Sequence, residues 1–131
     1  MEQLTFRLPG GALLKEEIEK RTAHIKAGVL LSIVGALKNA ELRMAGATPD
    51  KQVVKHFDGP LEIVSGTGTF SSDGCHIHLS VSDREGRVFG GHLKGGCVVD
   101  LTAEIVIGVF PEATFQRTHD DTTGFPELLV G

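Results

Sequence analysis

Gly86 constrains this chain more than any other residue, because the loop it closes decides which side chains share a face. Two runs suited to β-strands, Cys75–Val81 and Arg87–Leu93, flank Ser82-Asp83-Arg84-Glu85-Gly86. That spacing reads as a β-hairpin. If Asp83–Gly86 form a type I turn with Gly86 left-handed as a G1 bulge, the loop is Arg84–Gly86 and Asp83 faces Arg87. Glycine suits that position, since it takes positive φ at no steric cost. Counting outward from Asp83 and Arg87 sets His78 opposite His92. Strand alternation puts His76 on the same face as His78. Directly opposed residues lie ~5 Å apart at Cβ and diagonal ones ~7–8 Å, within reach of one shared ion. A two-residue loop would shift the register by one and send His92 to the other face.

The 131 residues fit one domain with a real core. Charge is mildly acidic, 13 Lys and Arg against 17 Asp and Glu. The only adjacent basic pair is Lys20-Arg21. A monomer therefore lacks the basic patch that grips a phosphate backbone. With no Trp or Tyr, only Phe could stack on bases. Two cysteines, Cys75 and Cys97, are too few for a disulfide scaffold and point to a reducing compartment. The N-terminus lacks a signal-peptide layout, and the longest apolar run, Ala27–Leu37, is too short to span a bilayer. A soluble, cytoplasmic protein with no membrane partner is expected.

Gln3–Leu8 alternates like a half-buried strand. From Ala12 to about Lys26 the period turns helical, with Leu14, Ile18 and Ile25 on one face. Glu16/Lys20 and Glu17/Arg21 support it as i,i+4 pairs. Ala27–Leu37 reads as a buried central strand, followed by Ala36–Met44 and Gln52–Phe57 as further strands. Asp58-Gly59-Pro60 reads as a turn before a strand over Leu61–Ser71. Cys97–Leu101 extends, Thr102–Phe110 is a strong buried strand, and Ala113–Thr118 is a weaker one. Residues 1–118 are expected to form a single domain, with 119–131 a polar tail that is mobile or held at a subunit contact. One helix and eight or nine strands make an α+β domain, mostly antiparallel, with one main flanking helix.

Gly66-Thr67-Gly68, His76 to Asp83, Gly90-Gly91-His92-Leu93 and Gly95-Gly96-Cys97-Val98-Val99 together resemble the plants-and-prokaryotes-conserved (PPC) domain, in its stand-alone prokaryotic form. The likeness runs from about Gln3 to Phe115. It implies a compact antiparallel sheet with a flanking helix, assembled as a homotrimer. It also implies a metal, zinc in the first instance, at His76, His78 and His92, and a DNA-associated regulatory role. In plants this domain follows AT-hook motifs, and no Arg-Gly-Arg-Pro core occurs here, so the element that reads the A·T minor groove is missing.

Three neutral imidazoles plus water suit Zn²⁺ with an open fourth position, though nickel, copper or ferrous iron would also accept them. The plainer alternative is a polar histidine cluster on an exposed sheet face. Cys75 alternates away from His76 and is expected to pack, while the direction of Cys97 is not readable. Glu104, inside an apolar strand, either orients a ligand histidine or accepts a proton there, or faces solvent on an edge strand. Gly66-Thr67-Gly68 lacks the third glycine and following helix of a dinucleotide site. Three roles remain open: a trimeric DNA-associated or regulatory protein, a small metal-dependent hydrolase or lyase using bound hydroxide, and a trimeric protein-interaction scaffold. A net charge of −4 per chain predicts weak DNA binding without a partner.

Overall fold

The computed structural model describes all 131 residues. One helix and eight strands follow in the order β1 (Glu2–Pro9), α1 (Leu14–Thr22), β2 (Ala27–Arg43), β3 (Val54–Ser71), β4 (Gly74–Ser82), β5 (Val88–Leu93), β6 (Val99–Val109), β7 (Phe115–His119) and β8 (Pro126–Val130). The first six strands form one sheet ordered β1-β6-β2-β3-β4-β5, and β7 and β8 form a separate hairpin. Every strand pair is antiparallel. This is the expected α+β class.

Strand β2 is the spine. Its buried residues Ala27, Leu30, Ile33, Leu37, Ala40 and Leu42 depart from strict alternation because the strand is bulged. Register shifts fall at Leu30/Ser32 and Gly35/Ala36 against β6, and at Leu37/Asn39 against β3. Bulges bend and twist a strand. The far end of β2 thereby reaches β5, pairing Leu42 with Leu93 and Arg43 with His92. Strands β2, β3, β4 and β5 thus close into a ring around Leu42, Phe70, Ile77, Leu79 and Leu93, each at most 2% exposed. Each such side chain contributes about 1.5–3 kcal/mol through burial.

Helix α1 buries Leu14, Ile18 and Thr22, four residues apart and so on one face. Glu16 and Glu17 in its first turn and Lys20 and Arg21 in its last complement the helix dipole. The helix is shorter than Ala12–Lys26. Leu13 is taken by a bridge to Val98, and Ile25 N donates to Thr22 O at 2.9 Å in a tight turn that drops Ile25 into the core. His24 lies exposed beyond the helix end.

Further boundaries also differ from the sequence reading. Ala27–Leu37 and Ala36–Met44 are one strand, as are Cys97–Leu101 and Thr102–Phe110 over Val99–Val109. Asp58-Gly59-Pro60 is not a turn, because β3 runs through it opposite the β2 bulge. Proline is tolerated within a sheet at such an irregularity. The second strand of the β7–β8 hairpin lies within residues 119–131. No helix is long and apolar enough to cross a membrane.

Candidate metal centre

The β4–β5 loop has the geometry that Gly86 requires. Gly86 sits at φ +79°, its N–H donates to Asp83 O at 3.0 Å, and Asp83 N donates to Arg87 O at 3.0 Å. The Asp83 carboxylate accepts from the backbone N–H groups of Glu85 and Arg87 and from Arg87 Nε, locking the loop. His78 consequently pairs with His92. On its other side His78 faces Thr67 of β3, and His92 faces Arg43 of β2. Thr67, His78, His92 and Arg43 therefore form one row across four strands, and residues so opposed project to the same face. His76, opposite Thr69, stands two residues along β4.

The three imidazoles gather as the loop length dictates. Their ring centroids lie 4.8–5.6 Å apart, and one ligand nitrogen from each falls within 4.8 Å of the others. Three nitrogens on one tetrahedral zinc ion, each at about 2.0–2.1 Å, would stand about 3.3 Å apart. Modest side-chain rotation closes that difference, so the donor set fits one ion. Burial, reinforced by the Arg43 charge, pushes His92 down to about 3. Burial and the Arg117 charge likewise lower His76. Both rings are neutral at pH 7 with a lone pair to offer, which a metal ligand needs.

Gly66 and Gly68 alternate with Thr67 and Thr69, so threonines face the histidine side and glycines the packed side. A Cβ on Gly68 would lie 2.1 Å from the His76 carbonyl oxygen. The glycine permits β3 to approach β4 closely behind the site.

The histidines floor a cleft of about 390 Å³ that also involves Arg43, Asp73, Arg117, Phe125 and Glu127. Its wall is the β7–β8 hairpin, tied to β3 and to the loops at the strand ends in three places. Phe115 N donates to Lys26 O, Arg117 N to Asp73 Oδ2, both at 2.9 Å, and Arg117 Nη2 to Thr69 Oγ1 at 2.8 Å. Sequence reasoning missed Arg43, Arg117 and Glu127. The alternation of Phe115, Arg117 and His119 before the turn residue Gly124, at φ +77°, was the available signal for the hairpin.

Glu104 is not brought to the histidines. It is exposed on β6, in register with Arg7 and Val34, and does not line the cleft. Cys75 is partly buried and Cys97 fully so. Burial pushes both thiols up to about 11, which keeps them protonated and disfavours thiolate ligation. Cys97 Sγ instead accepts from Glu41 N at 3.2 Å, a packing role.

A family description, the Plants and Prokaryotes Conserved (PCC) domain, matches residues 1–111. The chain belongs to this family. PCC and PPC denote the same domain. Over 127 residues the chain is 43% identical to the bifunctional protein GlmU of a Synechococcus strain, covering 95% of this chain and 20% of that protein. It is 31% identical over 101 residues to AT-hook motif nuclear-localized protein 13 of Arabidopsis thaliana, covering 70% of this chain and 23% of that one. The chain thus spans about a fifth of the length of these curated relatives. Among solved structures, a hypothetical protein from Salmonella superposes with TM-score 0.92 at 31% identity, over 99% of this chain and 93% of that one. A metal-containing protein from Archaeoglobus fulgidus superposes with TM-score 0.84 at 28% identity, over 98% and 94% of the two chains.

Proposed function

We propose that this PPC protein is a homotrimeric metalloprotein in which His76, His78 and His92 hold one divalent ion, zinc by preference, with a coordination position left open. The observation that carries the reading is the convergence of three imidazole nitrogens within 4.8 Å on the floor of an open cleft. The name of the Archaeoglobus relative, a metal-containing protein, supports it. When bound, the ion supplies Lewis acidity and an acidified water. The chain's own part is to present neutral imidazoles from two adjacent strands and to wall the position with β7–β8.

Trimerisation is supported by what one chain leaves uncovered. Strand β1 is an open edge, and Leu31, Val34 and Leu101 are 50%, 57% and 80% exposed. Open edges and exposed apolar side chains are ordinarily covered by another surface. A regulatory, DNA-associated role draws support from the Arabidopsis relative's name. Such a role would rest on a partner or on a surface made by the trimer, since the helix cations Lys15 and Arg21 already pair with Glu19 and Glu17. A second reading, a small metal-dependent hydrolase or lyase, is favoured by the cleft itself, where Glu127 stands beside the histidines as an available acid–base group. Both cysteines are unpaired, in keeping with a cytoplasmic setting.

Elemental analysis of the purified protein tests the centre. About one divalent ion per chain is expected, lost in His78→Ala and kept in His24→Ala and His119→Ala. Full metal content in His78→Ala would refute it.

A further inference from the structure

Two cations face the cleft without an anionic partner. Arg43 and Arg117 are both half-buried, and neither lies within ion-pair distance of a carboxylate; the paired arginines of this chain are Arg21 and Arg87. Each guanidinium is held in place by neutral groups. Arg117 Nη2 donates to Thr69 Oγ1 at 2.8 Å. Arg43 stacks 5.3 Å over the Phe125 ring, and its Nη2 lies 3.3 Å from His92 Nδ1. A positioned, half-buried guanidinium with no carboxylate is poised for a bidentate acceptor from outside.

The contact between Arg43 and His92 couples this cation to the metal position. A guanidinium can only donate, so His92 Nδ1 must be the acceptor and uses the single lone pair of a neutral imidazole. An ion bound at Nδ1 takes that lone pair directly. An ion bound at Nε2 requires the proton on Nδ1, which then has nothing to accept with. By either nitrogen, metal binding releases Arg43 from His92 and leaves its donors free beside the ion.

Charge balance sets the sign of the ligand. Within the cleft two guanidinium groups offset the carboxylates of Asp73 and Glu127, so a divalent ion leaves two positive charges in excess. A cleft of about 390 Å³ is near the small end of ligand pockets, which calls for a small anion, and the planar guanidinium fork matches a carboxylate.

We propose that this cleft binds a small monocarboxylate carrying a second oxygen donor, of the 2-hydroxy or 2-oxo acid class. Its oxygens complete the coordination of the ion, and Arg43 and Arg117 hold its carboxylate. This inference rests on the metal centre proposed for His76, His78 and His92.

The test uses the full-length protein loaded with cobalt(II) and titrated with glycolate, with glycolamide as the uncharged analogue and inorganic phosphate as the competing anion. Glycolate is expected to shift the visible cobalt bands, glycolamide to shift them at least about tenfold less effectively, and phosphate to be the weaker anion. Arg43→Gln and Arg117→Gln should keep cobalt stoichiometry near wild type and weaken glycolate by about tenfold or more, the effect of a lost charged hydrogen bond. Arg43→Lys and Arg117→Lys should recover part of it. Full cobalt loading with no glycolate response, or an equal response in the glutamine variants, overturns the ligand assignment and leaves the metal centre standing. A stronger response to phosphate overturns the carboxylate class. Cobalt stoichiometry far below one in the wild type removes both proposals together.

Discussion

His92 and His56 show how differently one residue type behaves at two places in this sheet. His92 is held down to about 3 by burial and by Arg43, whereas His56 is raised by Asp58 first and Glu41 second, at 2.8 and 2.6 Å. In metal-free protein, NMR titration should find the His92 ring neutral down to about pH 4 and His56 titrating above the usual histidine range. A His92 midpoint near the ordinary histidine value would contradict its burial beside Arg43. The consequence for stability comes from proton linkage. Below about pH 6.5 an unfolded His92 takes a proton that the folded one refuses, so its stabilising effect is present above that pH. It is lost progressively as pH falls toward 3. His56, raised, contributes in the opposite sense, its share fading as pH rises through its folded value. Denaturant melts of His92→Asn across the range of about pH 4–7 should show a flatter acid limb than wild type.

At the scale of elements, the β4–β5 hairpin and the β3 glycines hold the site together. Deleting Gly86 leaves a two-residue loop, shifts β5 by one residue and turns His92 away, so metal content should fall as far as in His78→Ala. Retention of metal by the deletion variant would show that register does not govern the centre. Gly68→Ala drives a methyl group into the His76 carbonyl and should cost about 1–3 kcal/mol in chemical denaturation, as overpacking does. This part of the chain was legible in advance because its information is local: loop length, a glycine and alternation settle which histidines meet. The α+β class and α1 were legible for the same reason. The continuity of β2 and β3 was not, since the strand reading divided β2 near Ala36–Leu37, and Gly59 and Pro60 read as a turn. Their role emerges only from the bulges that two strands make against each other. Arg43 was hidden more deeply, because nothing near it in sequence announces the β2–β5 pairing that sets it beside His92.

At the scale of the whole molecule, assembly and charge can be tested together. Light scattering at low concentration should give three times the chain mass; a stable monomer would contradict the trimer. With −4 on each chain, such a trimer should bind duplex DNA no tighter than about 10⁻⁶ M near physiological salt, the range of non-specific contacts. Sub-micromolar affinity for an A·T-rich duplex in a salt titration would refute this. The cleft, finally, is divided between two parts of the molecule with separate histories open to them. Its histidine floor lies within residues 1–111, the span of the family match, whereas Arg117 and Glu127 belong to a hairpin downstream of that span. A lineage could therefore inherit the floor intact and exchange the wall. Membership of the family, taken alone, then speaks for the sheet that carries the histidines and leaves the wall of the cleft to be read in each chain.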